Sequence, residues 1–222
     1  MHSWHQRCRR LIGLEVTVNG TPGHDGTLLV ANHVSWMDIV ALASHTPACF
    51  LAKAEVRSWP LIGSLATLTG TLFVRRHSMS VLTRTIDHLG VLLQAGQSVA
   101  LFPEGTTGTG EVIGKFHSGL LQAAIDAQRP VQPVALSYVR GGELDELAPF
   151  VGDQGFLGHL WRMLGAPQTE VLVDFCEPLA TAGADRRQLA VEARRCIVAR
   201  TRLRQLAAVA QRPEPVVAAD AA

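Results

Sequence analysis

Short apolar runs alternate along the chain with longer stretches in which apolar residues recur every three or four positions. The runs 14–18, 27–31, 48–52, 70–74, 98–102, 131–138 and 170–175 read as strands. The stretches 35–44, 60–68, 78–95, 118–127 and 186–206 read as helices, the last with Leu189, Val191, Ile197 and Val198 on its apolar face. This alternation predicts an α/β fold with a mostly parallel central sheet flanked by helices.

Several polar residues without an obvious packing role stand just after strands. His33 follows Thr27–Asn32, Lys53 follows Ala48–Ala52, Arg75 follows Gly70–Val74, and Glu104 follows Ser98–Pro103. Open α/β sheets bind ligands outside the carboxyl ends of their strands. If these strands are parallel neighbours, a base, two cations and a carboxylate converge on one edge.

The junction Leu28–Asp38 changes period in its middle, from an apolar run to Ser35-Trp36-Met37-Asp38, which has the form of a capping box. Two readings of Asp38 stand: a helix cap favoured by the helix dipole, or a carboxylate that reaches back to His33. In the second, Asp38 fixes the tautomer through one ring nitrogen and leaves the other as a base able to deprotonate a hydroxyl. Leu101–Leu120 is rich in Pro, Gly and Thr, as turns are, but Pro103 fixes the strand exit, Glu104 sits at its tip and Gly105 lets backbone amides approach a ligand. Arg75-Arg76 and the Lys53/Glu55 pair read equally well as solvated surface charges. The chain has no G-x-S-x-G elbow, no Walker loop and no dinucleotide fingerprint.

With 222 residues, 47% of them hydrophobic, the chain can bury one substantial core. A formal charge of +1 argues against nucleic acid as a partner. The four cysteines are scattered without metal-binding spacing, which reads as free thiols in a reducing compartment. No uncharged apolar run is long enough to span a bilayer, yet mean hydropathy is positive, as expected for a protein that sits on a membrane. Trp4, Arg7, Arg9, Arg10, Leu11 and Ile12 suit an interfacial element or an untethered terminus, and Phe150–Leu164 suits core packing or a second membrane contact.

Four blocks taken together resemble the glycerolipid acyltransferase family, whose bacterial prototype acylates 1-acyl-glycerol-3-phosphate. Asn32-His33 with Asp38 is similar to the N-H-x4-D block. Lys53-Ala54-Glu55 with Pro60, Gly63, Gly70 and Phe73-Val74-Arg75 is similar to the second, Phe102-Pro103-Glu104-Gly105-Thr106 to the third, and Val131-Gln132-Pro133-Val134 to the fourth. The resemblance implies transfer of a fatty acyl group from acyl-CoA or acyl-carrier protein to a lysolipid hydroxyl, without an acyl-enzyme and with no metal or prosthetic group. His33 and Asp38 would be catalytic. Lys53, Arg75, Glu104, Gly105 and Thr106 would bind substrate, and Pro133 would shape the acyl-binding region. Residues 1–13 then form a membrane-interface segment, 14–210 the acyltransferase domain and 211–222 a disordered tail, with the protein peripheral on the cytoplasmic face of the membrane.

Two departures bear on the acceptor. Thr107 stands where the third block commonly has an arginine, and His117 rather than lysine follows Phe116. The Phe-Pro-Glu-Gly-Thr-Thr form resembles relatives that acylate lyso-ornithine lipid, which has no phosphate. The leading expectation is 1-acyl-glycerol-3-phosphate as acceptor, with lyso-ornithine lipid as the alternative. Further alternatives are a thioesterase or lipase using the same pair on water, and a non-catalytic lipid-binding protein.

Overall fold

The computed structural model describes residues 12–58, 63, 71–74 and 79–210. Its strands are β1 (Leu14–Asn19), β2 (Leu28–Ala31), β3 (Ala48–Lys53), β4 (Leu72–Val74), β5 (Ser98–Leu101), β6 (Val131–Arg140), β7 (Glu143–Leu144) and β8 (Thr169–Phe175). Its helices are α1 (Met37–Ala43), α2 (Met79–Gln94), α3 (Gln122–Asp126), α4 (Phe156–Gly165) and α5 (Arg186–Ala210). The helix expected over 60–68 lies outside the described residues apart from Gly63, as do residues 1–11 of the interfacial segment expected over 1–13 and the tail 211–222.

The strands form one sheet in the order β1-β8-β6-β2-β5-β3-β4, with β7 paired to β6. From β6 to β4 every neighbouring pair is parallel. β8 runs antiparallel to β6, and β1 is parallel to β8, so the β1/β8 pair reverses the direction of the sheet at one edge. The ends of β2, β5, β3 and β4 therefore face the same way, the parallel arrangement on which the expected convergence depends; Arg75 and the Lys53 side chain lie outside what the structure describes.

Alternation along the strands divides the core into two layers. Leu29, Ala31, Ala100, Phe102, Val134, Leu136 and Tyr138 face the cluster that includes Met37, Ala41 and Leu42 of α1 and Met163 of α4. Leu28, Val30, Val99, Leu101, Val131 and Ala135 face the cluster of α2, α3 and α5, with Leu89, Leu93, Ala123, Ala193 and Ile197. Because both faces are covered, β2 and β5 are buried at every position and read as unbroken apolar runs. Full burial of a leucine or phenylalanine stabilises by about 1.5–3 kcal/mol, and Leu28, Phe50, Leu89 and Leu93 are wholly enclosed.

The termini of elements have local causes. Gly96, at φ +82°, ends α2: its amide bonds the Leu93 carbonyl and that of Gln97 bonds Leu92. β5 starts only two residues later. Asp185 opens α5 by accepting the amides of Arg187 and Gln188. At α1 the expected capping box is only half present. Ser35 Oγ is buried and has no partner among the described residues, while Asp38 accepts the Ser35 amide at 3.0 Å. The apolar stretch Phe150–Leu164 proves to contain most of a helix, α4, which Gly158 in its interior and Gly155 just before it disguise because glycine is a poor helix former.

Candidate active site

β2 ends at Ala31, and the chain turns through 32–36 before α1 begins. Asn32 makes this turn possible. Its fully buried side chain donates to the Leu136 carbonyl at 2.9 Å and accepts the Leu136 amide at 2.8 Å, so it extends the β2/β6 ladder where the β2 backbone has left it. His33 then emerges at the carboxyl edge.

His33 Nδ1 lies 2.7 Å from Asp38 Oδ2, with the carboxylate wholly buried and the imidazole one-fifth exposed. The same oxygen accepts the amides of Val34 at 2.8 Å and Ser35 at 3.0 Å, and Oδ1 accepts the Tyr138 hydroxyl at 2.7 Å. Besides the imidazole, three fixed donors, two amides and a hydroxyl, satisfy this buried carboxylate. An ionised Asp38 requires a proton on Nδ1, which leaves Nε2 of the neutral ring as the acceptor. No described residue hydrogen-bonds Nε2. The ring stacks on Phe102, with centroids 4.1 Å apart and planes 17° apart, so its orientation is held from one side. Asp38 therefore ties down the turn before α1 and meets His33 with the same oxygen; of the capping box only the bond from the Ser35 amide forms, and the N-cap residue Trp36 makes no side-chain cap bond.

Glu104 stands at the end of β5, beside β2. Its Oε1 accepts the His33 amide at 2.9 Å and its Oε2 accepts the Gly114 amide at 2.7 Å. The His33 carbonyl in turn accepts the Gly108 amide at 2.8 Å. Glu104 thus ties the backbone of the histidine to the loop that follows β5. Arg194 of α5 holds that loop from outside by donating to the carbonyls of Ile113 at 2.6 Å and Gly114 at 2.7 Å. Gly105, at φ +77°, supplies the left-handed turn after Glu104, and its amide bonds the Phe102 carbonyl.

A buried carboxylate–imidazole pair at a strand end, stacked on the residue before the Pro-Glu-Gly turn, is the arrangement that the four sequence blocks imply. The family model described as Acyltransferase matches residues 14–137. A lyso-ornithine lipid O-acyltransferase of Pseudomonas aeruginosa is 44% identical over 195 residues, covering 87% of this chain and 75% of the relative. The chain belongs to the glycerolipid acyltransferase family. A 1-acyl-sn-glycerol-3-phosphate acyltransferase of Neisseria gonorrhoeae is 37% identical over 176 residues, covering 79% of this chain and 69% of that one. The crystal structure of the 1-acyl-sn-glycerophosphate acyltransferase of Thermotoga maritima superposes with a TM-score of 0.67 at 21% identity, over 96% of this chain and 79% of that one, and shares the fold. This acyltransferase is accordingly an O-acyltransferase of lipid synthesis.

The remaining residues read from the sequence are placed unevenly. Lys53 ends β3, two strands from β2 in the same parallel set. Arg75 lies outside the described residues, directly after β4. Thr106 is exposed on the loop beyond Gly105. Pro133 is not brought to the dyad: it is buried in β6 level with Val30, on the strand face shared by Val131 and Ala135 and opposite that of Tyr138. It occupies the gap between the Val131–Leu179 bridge and the β6/β8 ladder that begins at Val134, where its missing amide is tolerated and its carbonyl accepts Cys176. Among the described residues no group of three His, Cys, Asp or Glu side chains is arranged to hold a metal.

Two features of the acyltransferase escaped the sequence. Tyr138 was legible only as a strand residue, although as the single tyrosine it had to place a polar tip somewhere inside the apolar strand β6. The other is α4, which carries the wholly buried His159. Trp36 Nε1 donates to His159 Nδ1 at 3.0 Å, so Nε2 bears the proton and donates to the Leu147 carbonyl at 3.1 Å. Burial lowers the pKa of this imidazole, consistent with the neutral form the network needs. The loop before α4 also reaches the site: the Phe150 amide bonds the Val34 carbonyl, and the Phe150 carbonyl accepts the Thr107 hydroxyl.

Proposed function

We propose that His33 is the general base of a direct acyl transfer. Its Nε2 takes the proton of a lysolipid hydroxyl, and the oxygen so freed attacks the thioester carbonyl of acyl-CoA or acyl-carrier protein. The carbon–sulfur bond breaks, and the departing sulfur recovers the proton from His33. Asp38 holds Nδ1–H and stabilises the imidazolium that forms between the two proton transfers. The observation that carries this reading is a ring held at Nδ1 by a buried carboxylate, with no described residue hydrogen-bonded to Nε2. The scheme uses no metal or prosthetic group.

For the acceptor, lyso-ornithine lipid has the stronger support. The Pseudomonas relative is named for that reaction, and Thr107 offers a hydroxyl already committed to Phe150 where a phosphate reader would place a cation. A second reading, 1-acyl-glycerol-3-phosphate, is favoured by the Neisseria relative and by the presence of Arg75 in the sequence. Purified full-length protein with radiolabelled acyl-CoA or acyl-carrier protein should acylate lyso-ornithine lipid with the higher kcat/KM. A higher value for 1-acyl-glycerol-3-phosphate would move the assignment to the second reading, and acyl release without either acceptor would replace transfer by hydrolysis.

The protein works, on this reading, as a peripheral protein on the cytoplasmic face of a membrane. No helix of the described residues is long and apolar enough to cross one. On α4, Leu157, Trp161 and Leu164 are 52%, 73% and 45% exposed at a spacing that aligns them on one face, while His159 and Met163 face the core. The only charged side chain of that helix is the exposed Arg162, which suits an anionic interface. Trp161→Ala is expected to weaken binding to anionic vesicles by roughly tenfold, the effect of withdrawing one large apolar side chain from lipid. Turnover on acceptor dispersed in detergent should stay within a few-fold of wild type. Unchanged vesicle flotation would remove α4 from the membrane contact.

A further inference from the structure

We infer that Tyr138 is a positioning residue of the dyad: its hydroxyl holds Asp38 Oδ1 and, by drawing charge from that carboxylate, sets how strongly Asp38 pulls on the His33 proton. The inference deepens the proposed mechanism and rests on His33 acting as the base.

The two oxygens of Asp38 are used differently. Oδ2 meets His33 and the amides of Val34 and Ser35, all local to the turn before α1. Oδ1 meets Tyr138, which arrives from β6, 100 residues away in sequence. Tyr138 is 4% exposed, and the strand around it is fixed by its pairing with Val171 of β8 and by the bond from the Asp145 amide to its carbonyl. The phenol is therefore presented by the most extensively paired strand in the sheet. Burial first, and then the charge of Asp38, raises its pKa well above the ordinary value, so it stays a donor throughout the range in which a histidine titrates.

Among the described residues the other titratable groups around this trio are few. Glu104 faces the His33 backbone and is held on two amides, Asp145 acts on Tyr138 from the loop after β7, and His159 reaches the turn through Trp36 and through Phe150, whose amide bonds Val34. The tyrosine is thus the adjustable partner of the carboxylate. A core phenol that is merely satisfied would use the same hydrogen bond, but it would leave the titration of His33 where it is.

The sign follows from the charge. Removing the donor with Tyr138→Phe concentrates negative charge on Asp38, strengthens its pull on Nδ1–H and raises the pKa of His33. The acid limb of kcat/KM then moves to higher pH by about half a unit, and kcat falls by roughly tenfold as the dyad loses its fixed geometry. Because the chain has a single tyrosine, biosynthetic replacement of tyrosine by 3-fluorotyrosine changes this site alone. Its more acidic phenol is a stronger donor, so it should move the same limb to lower pH while keeping the hydroxyl and the ring in the core.

The test is a pair of measurements on full-length wild-type, Tyr138→Phe and fluorotyrosine protein. One is the pH profile of acyl transfer from acyl-CoA to whichever of lyso-ornithine lipid and 1-acyl-glycerol-3-phosphate the wild type accepts. The other is the pH titration of the His33 ring by NMR, assigned with His33→Ala, which needs no turnover. Opposite shifts of the His33 titration in the two modified proteins establish the coupling. A titration unmoved in both, or moved downward by Tyr138→Phe, overturns it. Should Tyr138→Phe fail to fold, the fluorotyrosine protein decides alone. A coupled titration in a protein with no transferase activity would instead refute the proposed mechanism while leaving the hydrogen-bond role of Tyr138 intact.

Discussion

His33→Ala is expected to lower kcat by about 10²–10⁴-fold with little change in KM for either substrate, the range that loss of a positioned general base produces. The fold should survive. The ring is partly exposed, and its removal leaves Asp38 with the Val34 and Ser35 amides and the Tyr138 hydroxyl, so no buried charge is stranded. The Glu104 contact to residue 33 is made by the backbone amide and does not depend on the side chain. Circular dichroism and a melting curve close to wild type, together with lost transfer, is the expected combination. A well-folded His33→Ala protein that still transfers acyl groups would exclude His33 as the base.

Substitution of Asp38 should separate its two tasks. Asp38→Ala strands the Val34 and Ser35 amides and the Tyr138 hydroxyl in a buried site. At about 1–3 kcal/mol for each unsatisfied group, this removes a large part of the roughly 5–15 kcal/mol that holds a typical domain together. Asp38→Asn is milder for a geometric reason. The amide oxygen can take the place of Oδ2 and accept from both backbone amides and His33, which turns the amide nitrogen toward the Tyr138 hydroxyl, and that hydroxyl can reverse to accept.

The asparagine protein should therefore fold, keep the Nδ1–H tautomer and still lose about 10- to 10³-fold in kcat, because a neutral amide cannot offset the positive charge that develops on His33. A kcat within a few-fold of wild type in Asp38→Asn would reduce Asp38 to a helix cap. An unfolded Asp38→Asn beside a folded Asp38→Ala would contradict the hydrogen-bond assignment itself.

Glu104 shows how far a motif can be read without coordinates. Its position at the tip of β5 suggests a carboxylate aimed at the substrate. In the fold each of its oxygens accepts a backbone amide, one of them that of His33, so its visible work is to fix the loop on which the base sits. Pro133 carries the complementary lesson. It belongs to the fourth sequence block, but the two-residue period of β6 turns it to the face away from Asp38 and Tyr138.

What the sequence determined by itself is whatever depends on near neighbours. Period and composition marked out the central strands and the helices α1, α2 and α5. The five-residue spacing from His33 to Asp38 allowed an imidazole to meet a carboxylate, because one turn of chain and the first turn of a helix span that distance, but it left a helix cap equally open until the 2.7 Å contact was seen. The order of the four blocks was enough to suggest the family.

What only the tertiary structure decided is whatever depends on which strand lies beside which. β2 and β5 are adjacent although 71 residues separate His33 from Glu104, and β6 brings Tyr138 to Asp38 across 100 residues. The reversal of β1 and β8 was equally invisible, since neither the half-exposed alternation of β1 nor the more buried run of β8 records which way a strand points relative to its neighbour. A side chain's spacing along the chain fixes its face on an element. Its partner across the sheet is fixed by how the two core layers pack, and the sequence carries that information only through all of its long-range contacts at once.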